Sequence, residues 1–393
     1  MTLTNTVLRY GPVSRMFHWL TALLILTAIP LGLVANGLSF DTDAELARKA
    51  LVFSLHKTIG IAAFFVALAR ILWAVTQKKP AHLHPDRKLE TALAETVHWL
   101  LYASLVIVPL SGWLHHAATT GFAPIWWPFG QTLPFVRESE AVAKFFAAWH
   151  LTFTKVLGMA VLLHIAGALK HALIDRDATL ARMVSGVEAG TPSGAHSRAP
   201  ILFAAMLWGV AIAIGSALGM PSDKTETATL DEVQSEWQVQ EGSLEITVVQ
   251  LNSPVTGSFA DWTAAIAFDP DVDDDVKGSV EVTIAIPSLT IGTVTSEAMK
   301  PDFFNAEAFP TATFLAAIRE DEGGYVAEGT LTVKGQSAPL TMQFTLLIDG
   351  ETATMEGGIT LDRRTFQVGE SYSDETSLGF PVEVAVSLTA VRQ

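Results

Sequence analysis

The chain has no cysteine among its 393 residues. That absence excludes disulfides, thiolate-bound metal, cysteine-ligated iron–sulfur clusters and haem attached through Cys-x-x-Cys-His, so any buried cofactor hangs on histidine or oxygen. Charge is scarce too, at 17% of residues, while half of the chain is hydrophobic and mean hydropathy is +0.36. This composition points to a membrane part, and the length accommodates two or three units. Positive charge is nearly missing from one half. Residues 221–393 carry 8 Lys and Arg against 29 Asp and Glu, a net of −21, whereas residues 1–220 carry 17 against 11, a net of +6. The asymmetry predicts two environments, a lipid-embedded half and a soluble acidic half, and nucleic acid is not an expected partner.

What is present begins with apolar runs near 17–36, 52–75, 96–114, 146–169 and 200–219. Each is long enough to cross a hydrocarbon core of about 30 Å, which takes roughly 20 residues. Lys and Arg sort the connections. Arg9, Arg15, Lys78, Lys79, Arg87, Lys88, Lys170, Arg176, Arg182 and Arg198 fall on one side; Arg48, Lys49, Arg137 and Lys144 fall on the other. Positive charge accumulates on the cytoplasmic side, which predicts a bacterial inner-membrane protein with a cytoplasmic N-terminus and a periplasmic acidic half. Trp126, Trp127 and Phe129 have the composition of an interfacial belt or a loop plug. Residues 186–199 read as a cytoplasmic linker, 200–220 as a fifth transmembrane helix and 221–232 as a periplasmic linker. The fifth run, with its Arg198 lead and small-residue end Ser216-Ala217-Leu218-Gly219, is built like a secretory signal peptide, but its spanning length predicts retention.

After Leu230 the period changes. SLEITVVQL (243–251) and SVEVTIAI (279–286) alternate apolar and polar residues between turn-forming ones, the signature of antiparallel strands. About eight such strands in roughly 160 residues suit a closed up-and-down barrel around a ligand.

Ten of the eleven histidines lie in the first 171 residues. Several sit within or at the ends of the spans, where an ionisable side chain is costly and marks a functional position. His18 starts the first span and His98 the third from the inner side; His56 starts the second and His150 the fourth from the outer side. His164 and His171 follow His150 on the fourth span. Fourteen residues turn a helix to within about 40° of its starting direction and raise it roughly 21 Å, so His150 and His164 face one way at two depths. Depth then pairs His56 with His150 and His18 with His164, each pair suited to bis-histidine ligation of a low-spin, non-covalent haem. His82, His84, His115, His116 and His196 read as loop or interface residues.

The motifs RMFHWL, LHKTIG, ALARILW, HWLLY with PLSGWL, and LLHIAGALKH followed by IDRDATLARM resemble the bacterial cytochrome b561 group over about residues 8–185. The resemblance implies a four-helix bundle with two haem b groups, a quinone substrate on one side and one-electron transfer across the membrane. His18, His56, His150 and His164 match its ligand positions. Arg15 and Arg70 are candidates to pair with inner propionates or to snorkel to the interface, and Lys57 to pair with outer propionates or attract an anionic reductant. His98 and His171 remain as substitute ligands or quinone neighbours.

Residues 233–393 resemble the YceI-like lipocalin-type barrels through Trp237, VTGSFADW, IPSLTIGT, PDFFNAEAFPTATF, GTLTVKGQSAPLTMQF and DRRTFQVG. This implies a cavity for an isoprenoid chain, a polyprenyl lipid or quinone tail, with Trp262, Phe303, Phe304, Phe309, Phe314 and Phe366 as candidate lining. The chain departs from the family's Arg-Asp-x-His-Leu run, having Ser296-Glu297-Ala298-Met299-Lys300 there.

The expected fold is multi-domain: an all-α transmembrane four-helix haem bundle (1–185) plus a fifth transmembrane helix, then an all-β antiparallel barrel. The expected function is quinone-linked electron transfer, with superoxide as a donor suggested by the resemblance. Two other readings predict different spectra: a polyprenyl-lipid carrier with a redox-sensing cytochrome, and a haem-free transporter using histidines as proton relays.

Overall fold

The computed structural model describes residues 3–119, 123–190, 198–220, 230–321 and 324–393. The chain divides into a helical unit and a β unit. The helical unit holds α1 (Pro12–Gly37), α2 (Asp43–Val75, counted in this unit from Lys49 on), α3 (Lys88–Ala117), α4 (Glu140–Lys170), the short α5 (Thr179–Val184) and α6 (Ala199–Gly219). Five of these are long and apolar enough to cross a membrane, one for each apolar run of the sequence. The helices outrun the apolar stretches because their polar ends are good helix starts. Asp43 and Glu45 place acid in the first turn of α2, complementing the positive end of the helix dipole, and Ser139 caps α4 by accepting from the Val142 N–H.

We call the end of this unit where α1 begins the near end, and the opposite end the far end. α3, α4 and α6 share one core: Leu100 and Val108 of α3, Phe153, Leu157 and Ala160 of α4, and Ala204, Trp208 and Ala211 of α6. α6 comes close because its contact stripe is small. A Cβ on Gly219 would lie 2.9 Å from Phe145 Cα, and one on Gly215 would lie 3.0 Å from Trp149 Cδ1. The Trp149 indole N–H donates to Ser216 Oγ at 3.1 Å, so one hydrogen bond accompanies that packing. At the near end α4 runs into a π-helical turn, His171–Asp175, which stops at Arg176 in a left-handed conformation (φ 53°).

The β unit is one antiparallel sheet in the order β3-β4-β6-β7-β8-β9-β10-β1-β2-β5. Its strands are β1 (Trp237–Gln250), β2 (Ser253–Phe259), β3 (Trp262–Phe268), β4 (Val276–Ala285), β5 (Leu289–Thr290), β6 (Thr311–Asp321), β7 (Gly324–Val333), β8 (Gln336–Asp349), β9 (Thr352–Asp362) and β10 (Leu378–Arg392), with a one-turn helix α7 (Thr295–Ala298) after β5. Two hairpins carry positive φ at both central residues, Leu251-Asn252 (48° and 63°) and Lys334-Gly335 (51° and 72°), the geometry that matches strand twist. β8 alternates half-buried and exposed residues along its whole length, sending Leu340, Met342, Phe344 and Leu346 inward.

The all-antiparallel fold is as expected, but strand number and closure differ from the expected eight-stranded closed barrel. Among the described residues the sheet has ten strands and its ladder does not close, since β3 and β5 end the order. The chain turns through Ile286–Ser288 and leaves β5 only two residues long, too short to extend pairing around the ring. Side chains close the seam between β3 and β1. The Trp237 indole N–H donates to Phe268 O at 2.9 Å, and Ser235 Oγ accepts from the Ile266 N–H at 2.6 Å. Trp262 lies across β1 where Gly242 leaves room: a Cβ there would meet the Trp262 ring at 2.7 Å.

Candidate functional site

Two imidazole pairs face each other inside the helical unit. At the near end the rings of His18 (α1) and His164 (α4) have centroids 6.0 Å apart, and at the far end those of His56 (α2) and His150 (α4) are 6.2 Å apart. One iron between two axial imidazoles needs about 6 Å between centroids, from two metal–nitrogen bonds of about 2 Å and two ring radii of a little over 1 Å. Both separations fit. The His98 ring, edge-on to His164 at 5.1 Å, is closer than that requirement, and its Nδ1 lies 2.7 Å from Ala94 O of its own helix.

The far pair is held by backbone. His56 Nδ1 is 2.8 Å from Ala28 O of α1, and His150 Nδ1 is 2.9 Å from Val108 O of α3. A proton on Nδ1 donated to each carbonyl leaves Nε2 as the lone-pair nitrogen, the tautomer in which an imidazole can ligate a metal. Glycine makes these approaches possible. A Cβ on Gly32 would lie 2.8 Å from the His56 ring, and one on Gly112 would lie 2.9 Å from that of His150. Each glycine lies four residues after the accepting carbonyl, with Pro30 or Pro109 between them in the helix. Sequence reading passed over Gly32 and Gly112 as ligand supports; the available signal was a Pro-x-Gly or Pro-x-x-Gly run inside an apolar helix.

The other candidates have distinct settings. Arg15 donates from Nη1 to Val184 O at 2.8 Å, with its guanidinium against Gly186, so it ties α1 to the end of α5. The Arg70 guanidinium lies over the Tyr102 ring, 5.5 Å from its centroid. Lys57 is buried and donates from Nζ to Ala123 O at 2.7 Å. His115 Nδ1 lies 2.9 Å from Ala143 O, with the His116 ring 4.5 Å away, and His82 Nε2 is 3.2 Å from Glu95 Oε1. His196 lies outside the described residues.

His171 is apart from the facing pairs. It belongs to a near-end cluster with His84, Asp177, Asp175 and Glu90, and its ring stacks parallel on that of His84 at 6.1 Å. His84, read from sequence as a loop residue, is thus part of a built polar site. For Asp177 burial works against ionisation, but hydrogen bonds from Thr179, His84 and His171 outweigh it and hold the carboxyl well below the usual range.

In the β unit, an apolar cavity of about 230 Å³ runs among the inward faces of the strands. Trp262, Phe304, Phe314 and Phe366 line it, and Phe303 and Phe309 do not. Phe303 is the neighbour of Phe304 and points the other way, its ring 5.7 Å from that of Tyr372; Phe309 packs on the β7–β8 turn at Gly335. Arg363 is the one charged lining residue, and its donors are spent on main-chain carbonyls: Gly379 at 3.0 Å, Val368 at 2.9 Å, Gly369 at 2.6 Å, Tyr372 at 2.6 Å and Leu378 at 3.0 Å. Burial lowers its pKa. The wall therefore offers a ligand apolar contact and no unspent charge.

Five membrane-length helices with imidazoles facing each other at two levels make a membrane bundle suited to histidine ligation, and an apolar-lined antiparallel β unit follows it. Comparison with known proteins agrees. The model for prokaryotic cytochrome b561 matches residues 9–186, and the YceI-like domain model matches residues 229–390. "Cytochrome b561 homolog 2" of Escherichia coli is 33% identical over 189 residues, which cover 47% of this chain and 95% of that protein. "Probable superoxide oxidase CybB" of Yersinia pestis is 24% identical over 177 residues, 45% of this chain and 96% of that protein. The crystal structure of Burkholderia cenocepacia BcnA shares 29% identity and covers 39% of this chain and all of that chain, with a TM-score of 0.37. The chain belongs to the prokaryotic cytochrome b561 family and carries a YceI-like domain after its membrane helices. Haem b and electron transport follow from that membership.

Proposed function

We propose that the protein is a di-haem membrane cytochrome that passes electrons between a donor on the far, periplasmic side and quinone, and that its YceI-like domain binds an isoprenoid or quinone tail. The observation that carries this reading is the pair of facing imidazole couples, His18 with His164 and His56 with His150, each at the spacing one iron requires. Haem b held there supplies reversible one-electron transfer at a low-spin iron. The chain's own residues do the rest. Ala28 O and Val108 O orient the far imidazoles, Gly32 and Gly112 let them lie against the helices, and α4 contributes one imidazole to each level. Superoxide as donor is supported by the likeness to the protein described as a superoxide oxidase. The balance is two superoxide anions, one quinone and two protons giving two dioxygen and one quinol. The positive-inside count supports the inner membrane with a cytoplasmic N-terminus, and the apolar wall of the β unit supports a hydrocarbon ligand.

The test is a set of reduced-minus-oxidised spectra of the purified chain, with a haem count, after adding quinol or a superoxide source. Two haems per chain that change redox state within seconds are expected. Haems silent to quinol would favour the lipid-carrier reading, and a missing Soret band would favour a haem-free proton relay.

A further inference from the structure

The near-end cluster is separate from both facing imidazole pairs. His84 stands on the connection between α2 and α3, His171 at the end of α4 and Asp177 just beyond the π-helical turn. Two imidazole nitrogens converge on one carboxylate oxygen: His84 Nε2 lies 2.9 Å and His171 Nδ1 2.7 Å from Asp177 Oδ2. The other oxygen of Asp177 is already engaged, accepting from the Thr179 N–H at 2.8 Å. His171 Nε2 faces Glu90 Oε1 at 3.1 Å. Once a metal takes the place of the Nδ1 proton, a proton kept on Nε2 and donated to Glu90 is the carboxylate–histidine relation that orients a metal-bound imidazole.

The charges around the cluster leave one carboxylate over. Lys170 bridges Glu90 (2.7 Å) and Asp175 (2.8 Å), and Arg87 adds contacts of 3.6 Å and 3.2 Å to the same two acids. Among the described residues no Lys or Arg pairs with Asp177, whose ion-pair partners are the two histidines. Its side chain is only 13% exposed. With the protons facing Asp177 displaced, two neutral imidazoles and one carboxylate are the protein donor set of a tetrahedral site for a divalent ion such as Zn²⁺.

We propose that His84 Nε2, His171 Nδ1 and Asp177 Oδ2 bind a divalent transition-metal ion of the zinc type, with Glu90 as the outer partner of His171. The ion's mutual ligand distances are already within reach, since the three atoms lie within 4.8 Å of one another. Binding clamps the α2–α3 connection onto the end of α4. Exchange of the shared hydrogen bonds for metal bonds takes no co-reactant; it displaces at most the protons that the two imidazoles hold toward Asp177.

The experiment uses the full, haem-loaded chain in detergent, stripped with chelator and titrated with ZnCl₂ by equilibrium dialysis and calorimetry. One saturable Zn²⁺ per chain is expected. His84→Ala and Asp177→Asn should each weaken it at least 100-fold, and Glu90→Gln about 10- to 100-fold, as loss of an outer partner does. His82→Ala, at the neighbouring imidazole that faces Glu95, should bind as wild type. Haem content and visible spectrum serve as the folding check, and His84, on a loop, is the substitution least able to disturb the bundle. Wild type without saturable Zn²⁺ overturns the proposal, as does a folded His84→Ala chain that binds Zn²⁺ unchanged.

Discussion

Gly32 and Gly112 are empty by one methyl each, and that emptiness sets where His56 and His150 stand. Gly112→Val puts a branched carbon where His150 now lies, 2.9 Å from a hypothetical Cβ, and Gly32→Val does the same to His56. Each substitution is expected to lower haem content from two per chain toward one, whereas Gly158→Ala, where nothing lies within 4 Å, should keep both. Pyridine haemochrome counting decides it, and two haems retained in both valine variants would rule out the far pair as ligands. In the same assay His150→Ala and His164→Ala should each leave one haem, because α4 serves both levels; unchanged low-spin spectra would break the pairing. The histidines themselves were readable from their positions in the apolar runs and a 100° helical step. The glycines were not, since their role depends on another helix's side chain arriving at that place. His84 was hidden for the same reason: a loop histidine acquires meaning only when the turn after α4 brings Asp177 to it.

Among elements, α6 shows how an apolar run becomes part of a bundle. Its length alone was legible; its small-residue stripe, Ala204, Ala211, Gly215 and Gly219 with Trp208 between, is fitted to α3 and α4. A severed signal peptide would leave that shared core one-sided. Gly219→Val forces a methyl group toward Phe145 Cα, and overpacking of this kind costs about 1–3 kcal/mol. Thermal unfolding of the detergent-solubilised chain should show the loss, and an unaltered transition would mean that α6 does not contribute to the core. Strands were legible by alternation, β8 most clearly. The two residues of β5 and the open ladder were not, because closure depends on how far each strand runs past its neighbour. In the same way Phe303 and Phe304 looked equivalent as a pair of aromatics, although the turn that carries them sends only Phe304 to the cavity.

For the whole molecule, the split of charge and hydropathy at about residue 220 corresponds to the two compact units. If the fifth helix is retained, an antibody to the β unit should find one membrane-bound band near the full 42.2 kDa. A soluble fragment the size of the β unit would mean cleavage. The apolar wall and the spent donors of Arg363 predict that the purified chain brings with it a long hydrocarbon and not a compact polar solute. Mass spectrometry of an organic extract reads this directly, and a ligand-free extract with a collapsed cavity would refute it. The seam between β3 and β1 is held by side chains, Trp262 against Gly242 and Trp237 on Phe268 O, and not by a main-chain ladder, so the girth of the wall depends on those few residues.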